Sequence, residues 1–158
     1  MKRDSDKRAT RVPDRTTSVG MARYAREFLE AAVALDDVIG DKQEYFPMPS
    51  VPVLYLAAHS IELGLKSFLL HEGKSLDELR EFGHNLEKCL DTANQLNLSQ
   101  LVIFESREIA ALEALNELYS TKQLNYISTG TKRYPVLEPV KAFGCKLLDS
   151  ICPHVGYR

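Results

Sequence analysis

The feature that most constrains the fold is an apolar stretch from Ser50 to Gly73 whose few small and charged residues recur at helical spacing. Apolar side chains cover most of the circumference of this helix, so we expect it to lie inside a bundle. Pro52 suits the first turn after a cap at Ser50. Small side chains form a stripe along which another helix can approach closely, either within one chain or across a dimer. They are Ala57, Ser60, Gly64 and Ser67.

The same helix carries one polar stripe, in which His59, Glu62 and Lys66 share an arc of about 60°. Its neighbours are apolar, so we expect the stripe to be half-buried. Glu62 and Lys66, four residues apart in the favourable order, can form an ion pair that only orients the helix. His59 and Glu62 could reach one metal ion, but a stable site needs more ligands. We therefore predict no metal site and no cofactor.

Periodic apolar residues and caps predict further helices on either side of the central one. An amphipathic helix is expected after a cap at Thr17 or Ser18, and Gly40 is expected to stop it. Ser75 and Glu78 form a capping-box pattern that starts a short helix after Gly73. Each of these signals is local, and together they place three helices in the first half of the chain.

In the second half, a helix is expected to begin at His84 or Asn85, and a long helix to cover residues 99–122. A final helix has Pro139 in its first turn and is predicted to end at Pro153. No convincing pair of strands is present. We predict an all-α, compact up-and-down helical bundle of about five helices.

The N-terminal residues 1–16 hold six basic and three acidic side chains and almost no apolar ones. We predict a flexible charged arm, either a solvated tail or a basic arm that contacts phosphate, followed by a single helical domain over residues 17–158. The linker 41–50 is apolar for a loop, so we expect it to lie against the bundle. Residues 128–131 have turn composition.

Charge and cysteine content point to a cytoplasmic protein. The net charge is −2, which gives no overall attraction to nucleic acid or membranes. No uninterrupted apolar run reaches 18 residues, and the charged N-terminus has no apolar segment behind it, so we expect no membrane span and no signal peptide. The three cysteines include no C-x-x-C pair, which favours reduced thiols.

Two further polar positions have alternative interpretations. Arg133 and Tyr134 offer a fork-shaped donor beside a ring, which suits phosphate and base contact but equally a salt bridge at a helix end. His84 can cap a helix or form a hydrogen bond across the turn. No glycine-rich phosphate loop, G-x-S-x-G elbow or H-E-x-x-H motif is present.

Several of these motifs together resemble the HEPN domain family. The resemblance rests on the run from His59 to Lys66 with Gly83-His84-Asn85-Leu86 downstream, and it extends to residues 115–119 and 133–135. It covers most of residues 20–152. It implies a bundle of about five helices, often paired as a homodimer, with a link to nucleotide or RNA chemistry.

Many HEPN proteins are metal-independent ribonucleases of toxin–antitoxin and antiviral systems, and others bind nucleotides or partner a minimal nucleotidyltransferase. The ribonucleases carry an Arg followed after four to six residues by a His. In this chain Glu138, Pro139 and Val140 follow Arg133 at those spacings. Asn85 also replaces the family's usual Asp. The resemblance therefore implies a catalytically diverged member.

We expect a module that binds RNA, a nucleotide or a protein partner, possesses no catalytic residues and belongs to a stress or defence system. Two alternatives remain open: a metal-independent endoribonuclease that uses Arg133 with His84 or His59, and a purely structural dimerisation or interaction module. The predicted ligand-binding residues line one cleft. They are His59, Glu62, Lys66, His84, Arg133 and Tyr134.

Overall fold

The computed structural model describes residues 15–40, 50–126, 130 and 132–158, and every regular element in this part of the chain is helical. The prediction of an all-α bundle is confirmed. The predicted arm, the apolar linker and the turn over 128–131 lie largely outside the described residues. Within these described ranges, six α-helices and one 3₁₀ turn follow in order: α1 (Ser18–Gly40), α2 (Val51–His71), α3 (Leu76–Glu81), α4 (Leu86–Gln95), the 3₁₀ turn (Leu98–Gln100), α5 (Ser106–Ser120) and α6 (Leu137–Val155).

The central helix α2 packs against each of the other five α-helices. Helix α2 is also long and apolar enough to cross a membrane by length and composition alone, although no uninterrupted apolar run suggested this. Of its most apolar window, 67% is buried inside the bundle. That burial is typical of the core helix of a globular protein.

The stripe of small residues on α2 is used for packing within the chain. The Ser60 hydroxyl donates a hydrogen bond of 2.6 Å to the Ala25 carbonyl of α1, and the Ser67 hydroxyl donates one of 2.7 Å to the Ser18 carbonyl. A Cβ atom at Gly64 would lie 2.8 Å from Cδ2 of Leu148 on α6. The stripe is therefore not free to serve as the contact surface of the predicted homodimer.

Two predicted caps form hydrogen bonds and one ambiguity is resolved, whereas Ser50 takes the N-cap position of α2 without a capping hydrogen bond from its side chain. The Thr17 hydroxyl accepts from the Gly20 amide, and Ser75 and Glu78 form the reciprocal capping box. Asn85, rather than His84, caps α4, because its side chain accepts from the Lys88 amide at 3.0 Å. The His84 ring is thereby available for a contact across the turn.

The predicted helix over residues 99–122 is wrong at its start. Asn97 adopts the left-handed conformation (φ 69°) after α4, a short 3₁₀ turn follows, and α5 begins only at Ser106. The Glu105 amide donates to the Glu108 carboxylate at 2.8 Å, which satisfies one unpaired donor at the start of α5. The Phe104 ring stacks on Phe143 at 3.9 Å, so the extended segment before α5 also reaches the core.

The final helix was predicted well except at its end. Pro139 lies in the first turn of α6, and the apolar side chains Val140, Phe143, Leu147 and Ile151 on one side of this helix are buried. Pro153 does not end the helix, which continues to Val155 and stops at Gly156, where φ is 91°. A proline in the last turn disturbs the helix only locally, by its missing backbone donor and its contact with the carbonyl four residues earlier, whereas the left-handed conformation at a glycine turns the chain out of the helix.

Candidate functional site

A buried carboxylate on α2 is the centre of the candidate site. Glu62 is 4% exposed, and three side chains donate to it. The Lys66 ammonium donates to Oε1 at 2.6 Å, while the Tyr119 hydroxyl and His84 Nδ1 donate to Oε2 at 2.5 and 3.1 Å. Together with His59, whose ring lies 3.7 Å from the same oxygen, these residues form what we call the Glu62 cluster. It joins α2, α5 and the turn before α4.

The turn over residues 83–85 is held from both sides. Lys66 Nζ donates to the Gly83 carbonyl at 2.7 Å, and Gly83 has φ 55°, a conformation that favours glycine. On the other side, the Asn116 side chain accepts from the Leu86 amide at 2.7 Å and donates to Glu87 at 2.5 Å. Contacts from α2 and α5 therefore fix the position of His84.

The hydrogen bonds assign the proton positions of both histidines. A carboxylate only accepts, so His84 Nδ1 must carry a proton. The Tyr119 hydroxyl uses its single proton toward Glu62, so its oxygen accepts from His59 Nδ1 at 3.1 Å. In the neutral form of each ring, the remaining lone pair is on Nε2. The His84 side chain is 48% exposed and can meet a ligand.

Burial and nearby charges shift the pKa values of residues in and near the cluster in different directions. Burial raises the pKa of Glu62, but the adjacent His59 ring, the Lys66 ammonium and the Tyr119 hydroxyl outweigh it and hold that pKa well below its usual range. Burial and then the Glu62 charge raise the pKa of Tyr119 far above its usual value. Burial also raises the pKa of the nearby Cys89 thiol to about 12, so this thiol is a poor nucleophile.

Two adjoining cavities open beside the Glu62 cluster, and we call them together the tyrosine groove. The smaller, of about 140 Å³, is lined by Tyr55, His84, Tyr119, Lys122, Asn125 and Tyr126. The larger, of about 290 Å³, is lined by Val51, Gln123, Leu124, Asn125, Tyr126, Gly130, Lys132 and Tyr134. Asn125 and Tyr126 line both cavities, so the two cavities adjoin at these residues. The larger is close to the lower end of the range for small-molecule sites.

The tyrosine groove is basic and aromatic. Lys122 and Lys132 line it, and none of the described lining residues is an Asp or Glu. The Tyr126 side chain is 71% exposed. Lys122 has φ 62°, a backbone conformation usually taken by glycine or asparagine after a helix. The sequence therefore places a cation where the backbone alone would favour a smaller residue.

The structure brings together four of the six predicted site residues, and it places the other two apart. His59, Glu62, Lys66 and His84 share the Glu62 cluster. Tyr134 lines the larger cavity of the groove. Arg133 is exposed, lines neither cavity and makes no hydrogen bond or ion pair within the described ranges. Ligand binding by these residues stays a prediction.

Several residues of the site were not predicted as such, among them Tyr119 and three residues after α5. Tyr119 has the spacing of a core residue on α5, and nothing in that spacing reveals a partner on α2. Lys122, Asn125 and Tyr126 lie after the last turn of α5. A basic, polar and aromatic run directly after a helix is the available signal, and the predicted helix over residues 99–122 includes only Lys122 of it.

No protein-family model, curated protein or solved structure matches this chain. The resemblance to the HEPN family therefore stays a prediction that rests on the sequence motifs.

Proposed function

We propose that the tyrosine groove binds single-stranded RNA, or a nucleotide as its smallest fragment, without efficient cleavage. The observation that carries this proposal is a groove whose lining includes four tyrosines and two lysines and no described acidic residue. Lysines attract phosphate groups, and exposed aromatic rings offer faces on which bases stack. The buried charge of Glu62 is neutralised locally by Lys66, so it does not repel a phosphate.

Tyr126 is the best candidate for a stacking residue because it is the most exposed ring in the groove and borders both cavities. Tyr134 lies in the larger cavity and can contact a neighbouring base. Stacking on an aromatic side chain contributes about 1–3 kcal/mol per base. Loss of Tyr126 should therefore weaken binding at least about fivefold, with little dependence on base identity.

The test is fluorescence anisotropy with a labelled single-stranded RNA, in the presence of a chelator. Tyr126→Ala should reduce the affinity, and Tyr24→Ala should leave it unchanged. Tyr24 is a suitable control because it is also an exposed tyrosine, 51% exposed, but lies on α1 in a different basic cavity with Arg15 and Arg23. If Tyr24→Ala alone weakens binding, RNA binds to α1 and the groove proposal is wrong.

A second candidate is the metal-independent endoribonuclease, and the His84–Glu62 pair favours it. The carboxylate fixes Nδ1–H of His84, so Nε2 of the same ring can act as a general base toward a ribose 2′-hydroxyl. The 2′-oxygen would then attack the adjacent phosphorus while the bond from phosphorus to the 5′-oxygen breaks, and the leaving 5′-oxygen would take a proton from water. Lys122, which lines the same cavity, could stabilise the phosphate charge.

Cleavage assays separate this enzyme from the binding module. Incubation of RNA with excess protein and chelator should yield no product under the first proposal. Product that disappears with His84→Ala and persists with His154→Ala would establish the ribonuclease instead. If neither binding nor cleavage occurs, the Glu62 cluster serves only to orient helices, as in the structural alternative.

The proposal has further parts. They are assignment to the HEPN family, a homodimer, a nucleotidyltransferase-type partner, a role in toxin–antitoxin or antiviral defence, and a cytoplasmic location. The motifs of the Glu62 cluster support them indirectly, because the residues of the resemblance are also those that contact one another across α2, α5 and the turn at His84. Light scattering at high micromolar concentration tests the dimer: a monomer mass would exclude it.

A further inference from the structure

Away from the Glu62 cluster, three side chains with metal-binding atoms meet at the carboxyl ends of two helices. His71 and Glu72 end α2, and His154 lies in the last turn of α6. One donor atom from each of the three lies within 4.8 Å of the other two. His154 Nε2 is 2.7 Å from Glu72 Oε1, and the rings of His71 and His154 are 5.0 Å apart.

We propose that His71, Glu72 and His154 bind one zinc ion and thereby link the ends of α2 and α6. Two imidazoles and one carboxylate are a common zinc ligand set with three protein ligands and a fourth position for water. This inference departs from the sequence-based prediction of no metal site, which considered only the pair His59 and Glu62. Residues 72 and 154 are far apart in the chain, so their proximity was not visible in the sequence.

The geometry needs only small side-chain movements. Zinc bonds of 2.0–2.1 Å in a tetrahedron place neighbouring ligand atoms about 3.4 Å apart. The His154–Glu72 distance is already shorter than this, and the other atoms need to approach from at most 4.8 Å. All three residues are exposed, so the small rotations of His71 and Glu72 toward His154 are not opposed by core packing.

The position also favours a cation electrostatically. The carboxyl end of a helix carries partial negative charge, and here two such ends converge. The His154 ring lies against Phe68 of α2 at 5.6 Å, which limits its orientation and keeps it beside Glu72. The alternative is a simple hydrogen-bonded pair of Glu72 and His154 that needs no metal, and the experiment below distinguishes the two.

The test is titration of ZnCl₂ into the full chain, with any affinity tag removed and after treatment with EDTA, followed by calorimetry. We expect one equivalent of zinc and a rise of about 5–10 °C in melting temperature at a free zinc concentration 100-fold above Kd. His71→Ala, Glu72→Gln and His154→Ala should each weaken binding at least about tenfold. His84→Ala should retain the full equivalent.

Cobalt gives a spectroscopic readout that unspecific binding does not. Addition of Co²⁺ should produce the strong visible absorption of a tetrahedral centre in the wild type, and His154→Ala should lose that absorption. The proposal is wrong if the wild type binds no zinc below millimolar concentration. It is also wrong if His71→Ala binds as tightly as wild type, or if His84→Ala abolishes binding, since the ion would then lie at the Glu62 cluster.

Discussion

The Tyr119 hydroxyl donates a 2.5 Å hydrogen bond to the buried carboxylate of Glu62, and this bond joins α5 to α2 at the centre of the bundle. Because the Tyr119 hydroxyl oxygen also accepts from His59 Nδ1, the same hydroxyl sets the proton position of His59 and links this ring to Glu62. The negative charge of Glu62 is thus kept in a place from which water is nearly excluded. Removal of any one hydrogen-bond partner of such a buried charge is therefore expected to lower the stability of the folded protein.

Tyr119→Phe should destabilise the protein by about 1–3 kcal/mol, because it removes a donor from a buried carboxylate and leaves the ring packing intact. Urea denaturation followed by circular dichroism measures the change. Tyr55→Phe is the matched control: Tyr55 is a neighbouring partly buried tyrosine whose hydroxyl makes no hydrogen bond within the described residues. Equal effects of the two substitutions would contradict a special role for Tyr119.

Glu62 should also contribute to acid sensitivity. Its pKa is lowered in the folded state, so below about pH 4.5 the unfolded chain binds a proton that the folded chain does not. The stability contributed by Glu62 is therefore present above that pH and is lost as the pH falls toward the folded-state pKa. Glu62→Gln should be less stable than wild type at pH 7, and the difference should shrink below pH 4.5. Denaturant titrations between pH 3 and 7 measure this, and curves that stay parallel throughout would contradict it.

The contrast between local and long-range signals explains which parts of the fold were predictable. The caps at Thr17 and Ser75 and the apolar period of α2 are encoded within a few residues, so they were predicted. The break between α4 and α5 was not predicted. Val102 lies in the irregular segment between these helices and is buried, so its apolar side chain cannot be distinguished in the sequence from that of a buried helical residue. Neither a helix-breaking glycine nor a proline marks the left-handed turn at Asn97.

The same distinction applies to the candidate site. The angular arc of His59, Glu62 and Lys66 follows from helix geometry and could be predicted. The choice of His84 as the fourth member came from motif resemblance. The tyrosine groove depends on how the segment after α5 folds back beside α2, which periodicity does not specify. Sequence reasoning therefore identified the polar centre of the site and missed most of its surface.

Gly64→Ala should destabilise the protein by about 1–3 kcal/mol through overpacking, although alanine favours helices. The added Cβ atom would lie 2.8 Å from Leu148 and 3.2 Å from Leu147, and both leucine side chains are fully buried. Gly144→Ala provides a graded control, because its nearest contact is a single Leu29 atom at 3.2 Å. A larger loss for Gly144→Ala in thermal denaturation would show that α2 and α6 are packed less tightly at Gly64 than described.

Lys122→Asn should reduce the salt dependence of RNA binding without loss of stability. Asparagine suits the left-handed conformation at this position and removes the charge. If Lys122 contacts one phosphate, the slope of log K against log salt concentration should become shallower by about 0.7. Lys74→Gln, at the opposite end of α2 from the groove, should leave the slope unchanged. An unchanged slope for Lys122→Asn would remove Lys122 from the binding surface.

Arg133→Ala should leave stability within about 0.5 kcal/mol of wild type, because the side chain is exposed and has no ion-pair partner in the part of the chain that the structure describes. Its neighbours Lys132 and Tyr134 line the larger cavity, so Arg133 can contact RNA only at the rim of the groove. We therefore expect a weaker effect on RNA affinity than that of Tyr126→Ala. Thermal denaturation and anisotropy on the same samples separate the two roles. A loss of several degrees in melting temperature without any change in affinity would show that Arg133 is a structural ion-pair partner.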